Sequence, residues 1–170
     1  FPTSYIPTVA SQVTRAADIA SVNTLSPWYN ASEGTLVVEY VTEHSAADKY
    51  LFSISDGTSN QDMSARQFSG QTTRSAIING GVVQAAGNGQ STTIGAIVKG
   101  SLAYKENDSA WVTNGVIGWT DTSCTVPAAN KLVIGARIDL VAGFYLNGHI
   151  RSIQYFPRRL SNAELQQVTA

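Results

Sequence analysis

Asn79-Gly80, Asn88-Gly89, Asn114-Gly115, Asn147-Gly148 and Asp56-Gly57 punctuate this chain. Each is a dipeptide whose positive φ angles suit a tight hairpin, and a helical bundle has no use for so many. Between these turns the apolar residues recur at period two. Residues 35–42 carry Leu36, Val38 and Tyr40 on one face, and residues 49–56 offer Tyr50, Phe52 and Ile54 as an inner set, with Ser53 and Ser55 opposite. Further strands are predicted over 62–68, 74–79, 82–86, 93–106, 109–113, 116–120, 131–138 and 143–156. None shows helical periodicity. Roughly ten to fourteen short strands at this spacing predict an all-β fold, a two-sheet antiparallel sandwich of the jelly-roll kind.

One short helix is expected at the C-terminus. Ser161 to Glu164 fits a capping box, and Leu160 and Leu165 fall at the positions of a hydrophobic staple. Residues 1–34 hold Pro2, Pro7 and Pro27 and little alternation outside 13–19. They read as a lead-in that lays one strand against a single domain spanning 1–170. Phe1 in place of an initiator Met marks the chain as a fragment or a processed product.

Composition narrows the class. A hydrophobic fraction of 43% excludes a disordered chain. Charged residues make up 14%, against about 25% in an average soluble protein, with Ser, Thr and 14 Gly in their stead. Eleven basic and twelve acidic residues leave a net charge of -1. Nucleic acid and anionic membrane are therefore not expected partners, since both need clustered Lys and Arg. No apolar run approaches the ~20 residues of a membrane span, and Phe1-Pro2-Thr3-Ser4 opens no signal peptide. Cys124 is alone, so neither an intrachain disulfide nor a thiolate zinc site is available.

Several segments resemble a known family. Tyr5-Ile6-Pro7-Thr8 with Val13 to Asp18, then Trp28-Tyr29-Asn30 and Ser32-Glu33-Gly34-Thr35, are similar to the opening of a domain of bacteriophage and prophage fibre and particle proteins. Asn147-Gly148-His149-Ile150-Arg151, Pro157-Arg158-Arg159-Leu160-Ser161 and Glu164-Leu165 are similar to its ending. The ending also resembles the closing strand and helix of the concanavalin-A-like, laminin-G-like superfamily. The resemblance implies a jelly roll at the virion surface, made in the bacterial cytoplasm. It also implies, by analogy, recognition of a bacterial surface glycan. Its other expected partners are a preceding domain and further chains of the same fibre, with a homotrimer as one arrangement. Fold alone does not establish function, so a structural capping or assembly module without sugar affinity stays open beside the lectin reading. A divergent glycan hydrolase comes third.

Hydrolysis of a glycosidic bond needs two facing carboxyl groups, and glucanases of this general fold take theirs from alternate positions on one strand. Among Glu33, Glu39, Glu43, Glu106 and Glu164, Glu39 and Glu43 come nearest, with nothing acidic at position 41. His44 and His149 adjoin no nucleophile motif. A non-catalytic module is expected, with no cofactor. The superfamily often carries a hard cation at its rim, and Asp56 and Asp62 offer oxygens for calcium, although a polar hairpin explains them more simply.

Sugar sites combine a flat aromatic ring with amide partners. A turn at Asn114-Gly115 pairs Val112 with Ile117, Trp111 with Gly118 and Ala110 with Trp119. That register assigns Ala110, Val112, Ile117 and Trp119 to the core and leaves Trp111 on the polar face. Trp111 is thus the leading contact residue, while a slip of one residue exchanges the two tryptophans. Trp28 and Tyr29 are either contacts or anchors for the lead-in. Asn88 lies in the amide-rich loop 87–92, matched by a similar loop at 69–73.

Overall fold

The computed structural model describes residues 19–42, 47–141, 143–146 and 148–170. The opening motifs over 5–18, Glu43, His44 and Asn147 lie outside them. Eleven strands follow in chain order: β1 (Ala20–Val22), β2 (Glu33–Val41), β3 (Lys49–Ser55), β4 (Asp62–Phe68), β5 (Thr72–Asn79), β6 (Val82–Ser91), β7 (Ile97–Lys105), β8 (Ser109–Thr113), β9 (Val116–Asp121), β10 (Lys131–Ile134) and β11 (His149–Phe156). Helix α1 (Asn162–Thr169) closes the chain. The strands form two antiparallel sheets, one ordered β1-β10-β3-β4-β5-β6 and the other β11-β2-β7-β8-β9. This is the expected sandwich.

The period-two pattern does what it implies. Leu36, Val38 and Tyr40 of β2, Met63 and Ala65 of β4, Ile77 of β5, and Leu102 and Tyr104 of β7 meet between the sheets. Their neighbours in sequence point outward. On the outer face of the five-stranded sheet a second cluster forms, in which Leu160 and Leu165 cover Ala103, Ala110 and Val112. The helix begins as its sequence dictates: Ser161 accepts from the Glu164 backbone while the Glu164 carboxylate accepts from the Ser161 N–H. Its carboxyl is held low, at about 2, chiefly by the Arg158 guanidinium.

Two of the Asn-Gly signals mark hairpins, although at Asn79-Gly80 the turn falls one residue later than expected. Gly80 and Gly81 both take positive φ, as do Asn114 and Gly115, the pattern of a two-residue hairpin. Asn88-Gly89 does not turn. β6 continues through it to Ser91, with a register shift against β5 between Asn88 and Ser91, because the chain had already reversed at Gly80-Gly81. The long strands predicted over 93–106, 131–138 and 143–156 are each shorter, beginning at Ile97, ending at Ile134 and beginning at His149. Gly135, at φ +71°, stops β10.

One irregularity decides which residues face outward near the site. The β3–β4 register shifts between Tyr50 and Phe52, so Leu51 and Phe52 both join the core. Tyr50 therefore leaves the expected inner set and pairs with Arg66 on the outer face.

Truncating the helix staple tests the outer cluster. Leu165→Ala is expected to lower unfolding free energy by about 3 kcal/mol, read from denaturant midpoints.

Candidate functional site

The outer face of the six-stranded sheet carries one lateral row of polar side chains across four neighbouring strands. Tyr50 pairs with Arg66, Arg66 with Arg74, and Arg74 with Asn88. Directly opposed side chains on antiparallel strands stand about 5 Å apart at Cβ, and like charges in that position repel. Two guanidinium groups facing each other are therefore the feature that needs a physical reason.

Part of it is aromatic. Phe68, two residues beyond Arg66, lies under both cations, with the Arg74 guanidinium carbon 5.0 Å and that of Arg66 5.9 Å from its ring centre. The negative face of the ring offsets some of the repulsion. Arg66 also donates to the Tyr50 hydroxyl at 2.7 Å and sits 3.1 Å from Asp48 Oδ2. That ion pair is poorly aligned, and Arg66 Nε makes no hydrogen bond. Arg74 has no carboxylate partner among the described residues, and its own Nε is buried without an acceptor. Two adjacent guanidinium groups, one only loosely paired with Asp48 and the other with a buried donor lacking an acceptor, present what an anion needs: fork-shaped donors and positive charge on a partly desolvated surface.

Residues 135–141 and 143–146 wall one side. Phe144 O accepts from the Tyr50 N–H at 3.2 Å, which brings the Phe144 ring within 5.9 Å of Tyr50. Arg137 lies 4.0 Å over that ring and binds Asp139 through two bonds of 2.7 and 2.6 Å. Asp139 is held below the ordinary carboxylate range by that guanidinium. Beside the large row runs a row of small residues, Ser53, Ser64, Ala76 and Ala86. Ser53, Ser64 and Ala76 of that row are buried, and Ala86 at its β6 end is exposed beside Asn88.

Beyond the small row Asp62 faces the same way. It is 4% exposed and accepts from the Ser53 hydroxyl. Burial pushes its carboxyl up to about 6, against the opposing pull of Ser53, Ser64, Arg66 and Arg137. Asp56 is not beside it in function: its Oδ1 is committed to the backbone and hydroxyl of Thr58 at 2.9 and 2.7 Å. The two residues expected to share a cation are used separately, and no group of three His, Cys, Asp or Glu able to hold a metal exists among the described residues.

Of the residues singled out from sequence, Asn88 joins the row, and it does so from a strand rather than a loop. Trp111 is a correction. It is fully buried. The β8–β9 register shifts by one between Trp111 and Val112, so Trp111 pairs with Trp119 and both rings face inward. Gly118 absorbs the extra residue, because a Cβ there would lie 2.8 Å from Asn88 O and from Gly89 Cα. Ala110 and Val112, expected between the sheets, lie instead beneath the helix.

Trp28 and Tyr29 belong to a separate cluster. Trp28 is 41% exposed and packs edge-on against Tyr155 at 5.1 Å. Tyr29 stacks on Tyr104 at 6.0 Å, and burial raises its phenol to about 12. Tyr155 accepts from the Asn30 N–H while Tyr104 donates to Asn30 O. These contacts fasten the chain ahead of β2, which is the anchoring role. A hollow of about 530 Å³ between α1 and the strand ends is also explained internally. Its charges cancel in pairs: Lys105 with Glu33, Arg159 with Asp108, and Arg158 with Glu164. Glu39, half of the nearest acidic pair, is bound to Arg151 at 3.0 Å.

Tyr50, Arg66, Phe68 and Arg74 were not singled out by sequence. A signal for the arginines existed. They are equidistant from Gly70 on two predicted strands, so a turn centred there must set them opposite each other.

Asp62 gives the site a pH signature. Its carboxyl holds its proton more tightly in the folded chain than in the unfolded one, so its contribution to stability is full below the ordinary carboxylate range and is lost as pH rises through about 6. Relative to Asp62→Asn, the wild type should gain stability between about pH 7.5 and pH 4, by up to about 3 kcal/mol, measured by urea denaturation at each pH.

The fold has well-matched relatives among solved structures. The carbohydrate-binding module CBM40 of the Ruminococcus gnavus IT-sialidase, bound to α2,3-sialyllactose, aligns with a TM-score of 0.68 and 18% identity, covering 91% of this chain and 97% of that one. The heptameric SAP-like pentraxin of Limulus polyphemus aligns with a TM-score of 0.61 and 17% identity over 91% of this chain and 84% of that one. The Streptococcus pneumoniae NanB sialidase (K499G mutant) aligns with a TM-score of 0.70 and 16% identity over 86% of this chain, which spans 26% of the sialidase. No protein-family model matches the chain, and no curated protein matches it in sequence. At these identities the likeness establishes the architecture: the chain has the jelly-roll fold shared by CBM40 and pentraxin domains.

Proposed function

We propose that this protein is a non-catalytic carbohydrate-binding module whose ligand is a glycan bearing a carboxylate, held on the outer face of the six-stranded sheet. The observation that carries the reading is the opposition of Arg66 and Arg74 across β4 and β5, with Arg74 lacking a carboxylate partner among the described residues and its buried Nε–H lacking an acceptor. A sugar carboxylate bridging the two forks relieves their repulsion and supplies the acceptors. The half-buried Phe68 ring lies beside both cations, and exposed Asn88 offers an amide to ring hydroxyls. The CBM40 relative was solved with sialyllactose, whose terminal sugar is an acid of this kind.

The setting inferred from the sequence resemblance is the surface of a phage or prophage particle, where the module contacts bacterial surface glycan. One shallow site binds weakly, and several copies on a fibre multiply that affinity. The competing reading, a capping or assembly module without sugar affinity, leaves the facing arginines without a purpose.

Calorimetric titration with 3′-sialyllactose, galacturonic acid and lactose tests the proposal. The acidic sugars should bind and lactose should not. Arg74→Met should weaken acidic-sugar binding about 10- to 100-fold, the worth of a charge-assisted hydrogen bond, while Trp28→Ala leaves it unchanged. Equal binding of lactose, or unaltered binding by Arg74→Met, would remove the arginine row from the site.

A further inference from the structure

Asp62 stands four residues before Arg66 on β4, so the same outer face carries both, with Ser64 between them. Its surroundings are specific. Hydroxyl groups of Ser53 and Ser64 are its hydrogen-bond partners. From β5 it meets Ile78 across the ladder, and from β3 it meets Ser55. Neither neighbour carries charge. Lys131 of β10 pairs with Ser55, one strand further away. The cations within electrostatic reach are Arg66 and Arg137. Each of these is already shared with another carboxylate, Arg66 with Asp48 and Arg137 with Asp139. No cation forms an ion pair with Asp62 among the described residues. The carboxylate is thus buried on hydroxyl groups, beneath the wall of a surface that presents arginines to an anion.

We propose that Asp62 makes anion binding at the Arg66–Arg74 row proton-dependent, opposing it when ionised and permitting it when neutral. The inference rests on the reading of that row as a glycan site and adds its regulation. An ionised Asp62 draws on the field of Arg66 and Arg137 and repels an incoming carboxylate through a partly desolvated sheet surface, where charges are weakly screened. Taking up a proton removes that opposition without moving any backbone. Its carboxyl is pushed by burial to about 6, so the change falls across mildly acidic conditions. Linkage makes the effect reciprocal: if protons strengthen anion binding, anion binding must draw protons onto the protein.

The experiment is calorimetric titration of 3′-sialyllactose at about pH 5 and about pH 7.5, in two buffers of different ionisation enthalpy, on wild type, Asp62→Asn and Arg74→Met. The sugar's own carboxylate stays ionised throughout, as α-carboxyl groups do. Wild type should bind roughly fivefold more tightly at the lower pH, with net proton uptake near pH 6. Asp62→Asn should bind equally at both, at the tighter value, with no uptake. Equal wild-type affinity at both pH values, with Arg74→Met still weakening binding, would overturn the coupling and leave the site standing. The same pH ratio in Asp62→Asn would also overturn it, assigning the proton to another group. Absence of sialyllactose binding at either pH would remove the site and the coupling together. Should Asp62→Asn fail to fold, the same titrations on Ser53→Ala, which removes a hydroxyl that Asp62 accepts from, decide: the midpoint of the pH dependence should move upward, and an unmoved midpoint would overturn the coupling.

Discussion

The indole of Trp111 fixes how closely the two sheets approach. It is fully buried on β8, and its Nε1 reaches Thr73 Oγ1 of the opposite sheet at 3.4 Å. Glycines make the space. A Cβ on Gly100 would lie 2.5 Å from Trp111 Cη2, and one on Gly89 would lie 2.6 Å from Nε1. Thr73 and Thr113 bond each other at 3.0 Å beside the ring. Close packing leaves little tolerance for a ring this large, so its place sets the positions of β5 and β6 relative to β8. Arg74 follows Thr73 directly and must therefore face out where Thr73 faces in. The outward row is the reverse side of the inward packing.

That coupling explains why the sequence was legible in some places and not in others. The sandwich, the helix with its cap, and the turns at Gly80-Gly81 and Asn114-Gly115 are written in local patterns. Period two, a capping box and positive-φ residues each act over a few positions. The misplacement of Trp111 came from a single unseen bulge at Gly118, and a register shift of one residue reverses every assignment beyond it. The same happened at Leu51, which moved Tyr50 from the core to the outer face. Bulges are settled by contacts with other strands. Here those contacts are Gly89 and Asn88 packed against Gly118, residues about thirty positions away in sequence, which no local pattern reports.

The outer face of the six-stranded sheet is costly as a purely structural surface. Ser53, Ser64 and Asp62 are buried there, and two cations oppose each other on adjacent strands. A chain selected for stability alone would do better with apolar groups or with opposite charges in those positions, since buried charges without good partners lower stability. By contrast the charges around α1 are matched one to one across the junction of helix and sheet. One molecule thus contains a charged surface that is internally balanced and another that is not. Imbalance of this kind is the mark of a surface completed by something outside the chain.

Architecture alone would not have chosen between the two faces of the sandwich or between sugar classes, because jelly rolls serve many purposes. The choice comes from asymmetry between the sheets. The outer face of the five-stranded sheet is closed over Ala103, Ala110 and Val112 by α1, so that region can offer no ligand the strand surface. Among the described residues the six-stranded sheet carries no such helix; residues 135–141 and 143–146 pack beside its β10 and β3 strands, and Asn88 on β6 stays exposed. What binds there must reach donors lying nearly in the plane of a sheet. A planar carboxylate on a flat ring can meet both guanidinium forks at once, whereas a neutral hydroxyl can satisfy one donor and leaves the repulsion between the cations untouched. The geometry therefore favours an acid over a neutral sugar on the same grounds that make the arginine pair unfavourable on its own.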